Sequence, residues 1–213
     1  MKKTIKIVLL CLALILVLIT LVGCGNKTTE TENNKLGTSA KEQISRGVID
    51  ENNIYTSEYA DVKFRLPEGW AYSSDEQIAS LMNVGVEAIA DDADSVAKIL
   101  EKTALYDMVA TDQAKGTSVM VMFEKALLNV NEEYYLNNVK KGLESTEMGY
   151  EVSSEIAKET VGGREYNVLT ATIPSYKMVQ KYYVVKKGDY FVNILVTYVE
   201  GAEDLNNILS NFQ

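Results

Sequence analysis

Few side chains in this chain could carry out chemistry, because its 213 residues include no histidine and only two cysteines. Without an imidazole there is no histidine general base, no serine–histidine or cysteine–histidine nucleophile, and no zinc site that uses histidine. Cys11 lies inside an apolar run, and Cys24 ends that run. The pattern therefore leaves no cysteine for a disulfide or a thiolate metal site in the folded part.

The start of the chain has the layout of an export signal. Three lysines precede an apolar stretch of 16 residues, Ile7 to Val22, and the stretch ends in Leu21-Val22-Gly23-Cys24. It is shorter than the roughly 20 residues of a membrane-spanning helix, which is the alternative interpretation. The last four residues resemble the bacterial lipobox. This resemblance implies that residues 1–23 are removed and that the Cys24 thiol carries a diacylglyceryl anchor.

Residues 24–45 are expected to be Cys24, which the lipobox resemblance implies is lipidated, and a flexible tether, which the Thr, Asn, Glu and Lys content of residues 25–45 predicts. Residues 46–213 are long enough for one globular domain. The net charge is −9, and removing the three lysines of residues 1–23 leaves 18 basic against 30 acidic residues, or −12. Such a charge disfavours nucleic acid and repels anionic lipid, so we expect the acyl chains to hold the protein at the membrane.

The densest acidic cluster, Asp91-Asp92-Ala93-Asp94, invites a calcium interpretation. The glycine of a calcium-binding loop is absent, and Thr103 stands where that loop has glutamate. We therefore predict that Asp92 or Asp94 caps a helix and that the chain holds no metal.

Catalysis has little support in the sequence. Paired carboxylates could hydrolyse glycosides without histidine, but 30 acidic residues bring some pair together by chance. Neither a glycine-rich dinucleotide loop nor a phosphate-binding loop is present, so no cofactor is expected. A carboxylate-based hydrolase is kept as an alternative to a non-enzymatic role.

Aromatic side chains offer a second kind of site. Tyrosines on the last strands could line one face and bind a small ligand or glycan, although strand aromatics more often serve packing. The candidate ligand or partner surface consists of Tyr176, Tyr182, Tyr190 and Tyr198. Trp70, after a Pro-x-Gly turn, is predicted to fill the core.

Hydrophobic periodicity predicts the elements that position these residues. Alternating residues from Val62 to Leu66 form a strand that Pro67 ends, and the segment around Tyr55 pairs with it. Further strands are predicted at 105–111, 118–123, 150–159, 164–173, 176–186 and 190–198, with hairpin turns at Gly162-Gly163 and Gly188-Asp189. The strand 118–123 is apolar on both faces, so we expect it to be central and covered on both sides. Helices are predicted at 75–90, 95–102, 131–145 and 205–212. Ser73 or Ser74 is the expected N-cap of the first of them, and Asn131 is the expected N-cap of the third. Consecutive hairpins indicate an α+β fold, an antiparallel β-sheet with helices packed on its faces.

Several segments together resemble the PsbP-like (Mog/PsbP-like) family over the whole domain. They are Tyr59-Ala-Asp-Val-Lys-Phe-Arg-Leu-Pro-Glu-Gly-Trp70, Val161-Gly-Gly-Arg-Glu-Tyr166, Tyr182-Tyr-Val-Val185, Tyr190-Phe-Val-Asn-Ile194 and Leu209-Ser-Asn-Phe212. The strand Tyr106-Asp107-Met108-Val109-Ala110 is similar to one in small bacterial lipoproteins of that fold. The resemblance implies an α-β-α sandwich that serves as a protein-binding or accessory module.

These observations predict a non-catalytic lipoprotein on the extracytoplasmic face of the cell membrane, with the surface of a Gram-positive cell as the expected location. Its expected partners are the membrane, through the anchor, and another protein of the envelope. A receptor for a small ligand or glycan is the first alternative.

Overall fold

The computed structural model describes residues 44–86, 89, 93–101, 103–126 and 130–213. The predicted signal peptide, Cys24 and all of the predicted tether before Ile44 lie outside these residues. Ile44 itself, close to the predicted end of the tether, is buried against the core. Within the described ranges, no helix is long and apolar enough to cross a membrane.

Eleven strands are described, and eight of them form the main sheet. The strands of the main sheet are Ala71–Tyr72 (β4), Leu105–Asp112 (β5), Thr117–Lys125 (β6), Glu151–Val152 (β7), Ala157–Val161 (β8), Arg164–Ile173 (β9), Met178–Lys187 (β10) and Tyr190–Val199 (β11). Their order is β4-β5-β6-β11-β10-β9-β7, and β8 also pairs with β9. Every pairing is antiparallel, since hairpins connect most of the neighbouring strands.

The centre of the main sheet follows the predicted pattern. β6 is apolar on both faces and lies between β5 and β11, where both faces are covered. The predicted strand 150–159 is instead divided into β7 and β8, because the chain bends at Ser154-Glu155 between them. β10 begins at Met178, two residues later than predicted, since Pro174–Tyr176 forms a 3-10 turn.

The first three strands form a small sheet that is separate from the main sheet. Its strands are Val48–Ile49 (β1), Ile54–Ser57 (β2) and Val62–Arg65 (β3), in that order. The far edge of β3 is covered by the C-terminal residues, because Phe64 and Phe212 form an antiparallel bridge. Their rings lie 4.8 Å apart. The small sheet therefore joins the two ends of the domain.

Four helices are described: Asp75–Met82 (α1), Ala93–Leu100 (α2), Glu132–Glu144 (α3) and Leu205–Leu209 (α4). Ser74, one of the two N-caps that the sequence predicts, caps α1 and forms a reciprocal capping box with Gln77. α1 ends sooner than predicted because Asn83 takes a left-handed conformation with φ of 55°. α4 is also shorter than predicted, since Phe212 is used in the small sheet.

The two faces of the main sheet are covered differently. α3 packs on one face, where the Tyr135 ring stacks on Phe191 with centroids 4.4 Å apart. The small sheet covers part of the other face through Tyr59, whose ring meets Phe123 edge-on at 5.6 Å. The α+β class is confirmed, and a layer of β-structure replaces helix over part of the second face.

Candidate functional site

Asp107 is a buried carboxylate in a strand that is otherwise largely apolar. The pairing of β5 with β6 shifts between Tyr106 and Met108, so Asp107 sits in a β-bulge and is left out of the ladder. Its side chain is fully buried. A buried carboxylate is costly unless several donors meet it, so its surroundings must supply them.

Both oxygens of Asp107 accept hydrogen bonds from residues of the small sheet and the segment that enters it. The Gly47 N–H donates to Oδ1 at 3.0 Å and to Oδ2 at 2.9 Å. The Tyr55 hydroxyl donates to Oδ2 in a short hydrogen bond. Burial, and after it the Asp107 charge, raises the pKa of Tyr55 well above its usual value. Tyr55 therefore stays protonated as a donor.

Arg46 lies between two carboxylates. Its Nη2 is 2.9 Å from Asp75 Oδ1, and its Nε is 3.6 Å from Asp107 Oδ1. The Arg46 side chain is only 8% exposed, whereas that of Asp75 is 52% exposed. Gly47 follows at a position where any Cβ would overlap the Tyr55 ring. The chain thus enters the domain through a tight, charge-paired contact that requires glycine.

An open cleft of about 250 Å³ lies between β1, β5 and the start of α1. We call it the Asp107 cleft. Its lining includes Ile49, Tyr72, Ser73, Asp75, Ile78 and Val109. The volume is below the roughly 300–1,000 Å³ of ordinary small-molecule pockets, so the cleft has the size for a side chain.

A second polar cluster, partly buried, lies between α3 and the main sheet. The Tyr135 hydroxyl donates to Glu124 Oε2 at 2.7 Å and accepts from Asn193 Nδ2 at 2.6 Å. Burial raises the pKa of Glu124, while the bond from Tyr135 acts in the opposite direction. These hydrogen bonds and the stacking of Tyr135 on Phe191 hold α3 against the sheet, which indicates a structural role for the cluster.

The predicted tyrosine surface is not formed as a unit. Tyr182 is buried, and its hydroxyl donates to Gln180 Oε1 at 2.9 Å. Lys187 pairs with Tyr190 across the two-residue turn, so even-numbered residues of β10 lie beside odd-numbered residues of β11. Tyr182 therefore faces the opposite side of the sheet from Tyr190 and Tyr198, and its place in the predicted surface is wrong.

The other three tyrosines are spread apart. Tyr176 is exposed, but it lies in the 3-10 turn and not on a strand. Tyr190 and Tyr198 are half-buried at opposite ends of β11. Eight residues of strand separate them by about 27 Å. The structure does not bring these residues together.

The predictions for Trp70 and for the helix cap in the acidic cluster have different outcomes. Trp70 is buried against Phe64, as predicted. Asp94 lies in the first turn of α2 and not at its N-cap, whereas Asp91 and Asp92 are outside the described residues. Across the described ranges, no group of three or more acidic or cysteine side chains could hold a metal ion.

Sequence reasoning missed the site itself. In the sequence, Asp107 stands out only as part of a strand motif, and Arg46 only as the start of the domain. The available signal is an acidic residue inside the largely apolar strand Leu105–Asp112, two residues from its start and away from the turn that follows it. Such a residue must find buried donors, but the sequence does not say which.

Comparison with known proteins adds distant structural likenesses. No protein-family model and no curated protein sequence gives a significant match. The solution structure of cyanobacterial PsbP (CyanoP) from Synechocystis sp. PCC 6803 is 11% identical, with a TM-score of 0.42, over 84% of this chain and 98% of the other. The crystal structure of LpqN, involved in cell envelope biogenesis of Mycobacterium tuberculosis, is 12% identical, with a TM-score of 0.39. This match covers 71% of this chain and 82% of the LpqN chain. The α+β assignment rests on the strand order and pairing described above.

Proposed function

We propose that this chain is a lipid-anchored, extracytoplasmic binding module of the cell envelope that acts without catalysis. The observation that carries the proposal is the apolar edge strand β1 beside the Asp107 cleft. Val48 and Ile49 are 66% and 47% exposed, and they are consecutive in the chain. An exposed apolar strand edge is a surface that pairs with other chains, and proteins usually protect it.

The anchor part of the proposal draws on the sequence. Cys24 ends the apolar stretch in a lipobox-like motif, and the chain beyond it is strongly acidic. An acidic domain does not adhere to an anionic surface, so a lipid on Cys24 would keep it there. The protein surface is then free to meet a partner.

A hydrolase is the less favoured alternative at this site. Asp75 and Asp107 both line the cleft, but Arg46 lies between them. The Asp107 carboxylate is fully buried and accepts from Gly47 and Tyr55. It cannot touch a substrate while it holds these bonds, whereas a carboxylate pair must flank the bond that it cleaves.

The anchor is tested by labelling cells that express the full chain with an alkyne analogue of palmitate. We expect label on the wild type and on Cys11→Ala, and none on Cys24→Ala. The mass of the mature protein should show loss of residues 1–23 together with a diacylglyceryl group. An intact chain beginning at Met1, or label on Cys24→Ala, would show that the anchor is misassigned.

The binding role is tested by chemical crosslinking of intact cells, followed by mass spectrometry. We expect a saturable crosslink to an envelope protein for the wild type, and its loss for Cys24→Ala, because the unanchored protein is displaced. If the anchored wild type gives only the monomer at every crosslinker length, the protein-binding role is wrong.

A further inference from the structure

The two edges of the small sheet differ in a way that indicates where a partner would bind. On the β3 side, the Arg65 N–H donates to the Asn211 carbonyl at 3.0 Å, and the Gln213 N–H donates to the Lys63 carbonyl at 3.1 Å. That edge is therefore filled by the C-terminal residues. On the β1 side, no strand of the described chain pairs with the edge.

The side chains of β1 are unusual because both are apolar and exposed. Of the five large apolar side chains exposed in the described ranges, Val48 and Ile49 are the two that adjoin each other. Edge strands usually carry charges that discourage pairing, and β8 does so with Lys158 and Glu159. β1 carries no charged residue. Its composition favours pairing.

Ladder geometry gives the direction of the backbone groups of β1. Val48 is opposite Thr56 and Ile49 is opposite Tyr55, and the Asp50 N–H donates to the Ile54 carbonyl at 3.0 Å. Hydrogen-bonded and non-bonded pairs alternate in an antiparallel ladder. The N–H and C=O of Ile49 therefore face away from β2.

Gly47, two residues earlier, faces the same direction as Ile49. Its N–H is bound by both oxygens of Asp107. The carboxylate thus takes the position that a carbonyl of a neighbouring strand would occupy. Asp107 marks one end of the free edge, and the cleft that bears its name, lined by Ile49, continues along it.

The charge near this edge indicates the chemistry of the partner. Asp75 is half-exposed in the cleft, and Arg46, which is bonded to it, is almost fully buried. Asp50 and Glu51, which follow β1, are exposed, and the chain carries a net charge of −9. Arg65 is an exposed basic residue near Asp50, but the three exposed carboxylates of Asp50, Glu51 and Asp75 outnumber it, which favours a basic segment.

We propose that a partner protein adds an extended, basic and apolar segment to the free edge of β1. Its backbone pairs with Ile49, and an apolar side chain packs beside Val48. On the opposite face, a lysine or arginine lays its stem along Ile49 and brings its charge to Asp75 in the Asp107 cleft. This inference rests on the proposed function, since it names the surface and the partner chemistry of that binding module.

The test places photoreactive benzoylphenylalanine at Val48 in the full chain, expressed in cells that anchor the wild type. Val86 and Tyr134, which are 43% and 57% exposed, serve as matched positions. We expect an ultraviolet-dependent adduct at Val48 and none at the other two. The sequence of the crosslinked peptide should be typical of a β-strand, with apolar residues at alternate positions and at least one lysine or arginine.

Two substitutions test the mode of contact. Ile49→Pro removes the N–H that faces the partner and leaves the β1–β2 bonds, so the adduct should fall about tenfold. Asp75→Lys reverses the charge in the cleft, and we expect a loss of about tenfold. Glu155→Lys, an exposed site between β7 and β8, should leave the yield unchanged. Protease resistance equal to the wild type verifies that each variant is folded.

The outcomes separate this inference from the proposed function. An adduct at Val86 or Tyr134 without one at Val48 would overturn the β1 surface and leave a protein-binding role in place. A Val48 adduct with a second copy of this chain, or with an acidic segment, would overturn the partner chemistry. A Val48 adduct that Asp75→Lys and Ile49→Pro leave intact would overturn strand addition. No adduct at any position would contradict the binding role as well.

Discussion

At the scale of single residues, Asp107 decides how the start of the domain is held. The carboxylate accepts from the backbone of Gly47 and from the Tyr55 hydroxyl, and it also faces Arg46. These bonds connect the entering chain, β2 and β5 at one point. A bulge makes this possible, because it turns a side chain out of the ladder without ending the strand.

Asp107→Asn should lower the free energy of unfolding by about 2–4 kcal/mol, because one amide hydrogen bond donor would face the donors of Gly47 or Tyr55. Urea unfolding followed by the fluorescence of Trp70 measures the change. Asp189→Asn, an exposed residue in the β10–β11 turn, should stay within about 0.5 kcal/mol of the wild type. Equal midpoints for the two variants would show that Asp107 is not a structural anchor.

At the scale of elements, the register of one hairpin explains the failure of the predicted tyrosine surface. Residues two apart share a face within a strand, but a two-residue turn exchanges odd and even positions between strands. The turn at Gly188-Asp189 was predicted from the sequence. The opposite placement of Tyr182 and Tyr198 follows from that turn.

The contact between α3 and the main sheet contains a titratable group. Burial raises the pKa of Glu124 above its ordinary 4.5, so the folded protein holds this proton to a higher pH than the unfolded chain does. The stability that this group contributes is therefore complete below pH 4.5. It is lost as the pH rises through the raised pKa.

Glu124→Gln keeps an oxygen that accepts from Tyr135 and removes the buried charge. We expect the variant to be more stable than the wild type at pH 7, with the difference shrinking to zero as the pH falls below 4.5. Urea unfolding of both proteins at a series of pH values gives this difference in the free energy of unfolding. The other carboxylates are the same in both proteins, so their contributions cancel. Glu155→Gln, at an exposed site, should show a flat difference. A constant advantage at every pH would contradict the role of the buried charge.

At the scale of the whole molecule, the two ends of the domain meet in the small sheet. The C-terminal residues fill the β3 edge, and Arg164 Nη1 donates to the Ala60 carbonyl at 2.9 Å, so the β2–β3 turn is also tied to the main sheet. Phe212 is nearly buried between these parts. The small sheet therefore depends on contacts that are distant in sequence.

Phe212→Ala should lower the free energy of unfolding by about 3 kcal/mol, since it removes a buried ring next to Phe64 and leaves a cavity. Thermal and urea unfolding of the variant measure this loss. Tyr176→Ala removes an aromatic ring that is 44% exposed, and we expect a change within about 0.5 kcal/mol. If Phe212→Ala matched Tyr176→Ala, the C-terminal residues would not be holding the small sheet.

Local pattern was sufficient for much of the fold. The apolar run of β6 indicated a central strand, Ser74 and Asn131 capped helices where predicted, and glycine turns located the hairpins. These features depend on residues within one turn or one strand of each other. Their physics is therefore present in the sequence alone.

The site was decided by tertiary structure. Asp107 and Gly47 are 60 residues apart, and Phe212 reaches β3 from the end of the chain. Which donors meet a buried carboxylate, and which edge the last residues cover, depends on how separate elements pack. Periodicity describes the faces of each element, whereas the choice of partner for each face is made by the fold as a whole.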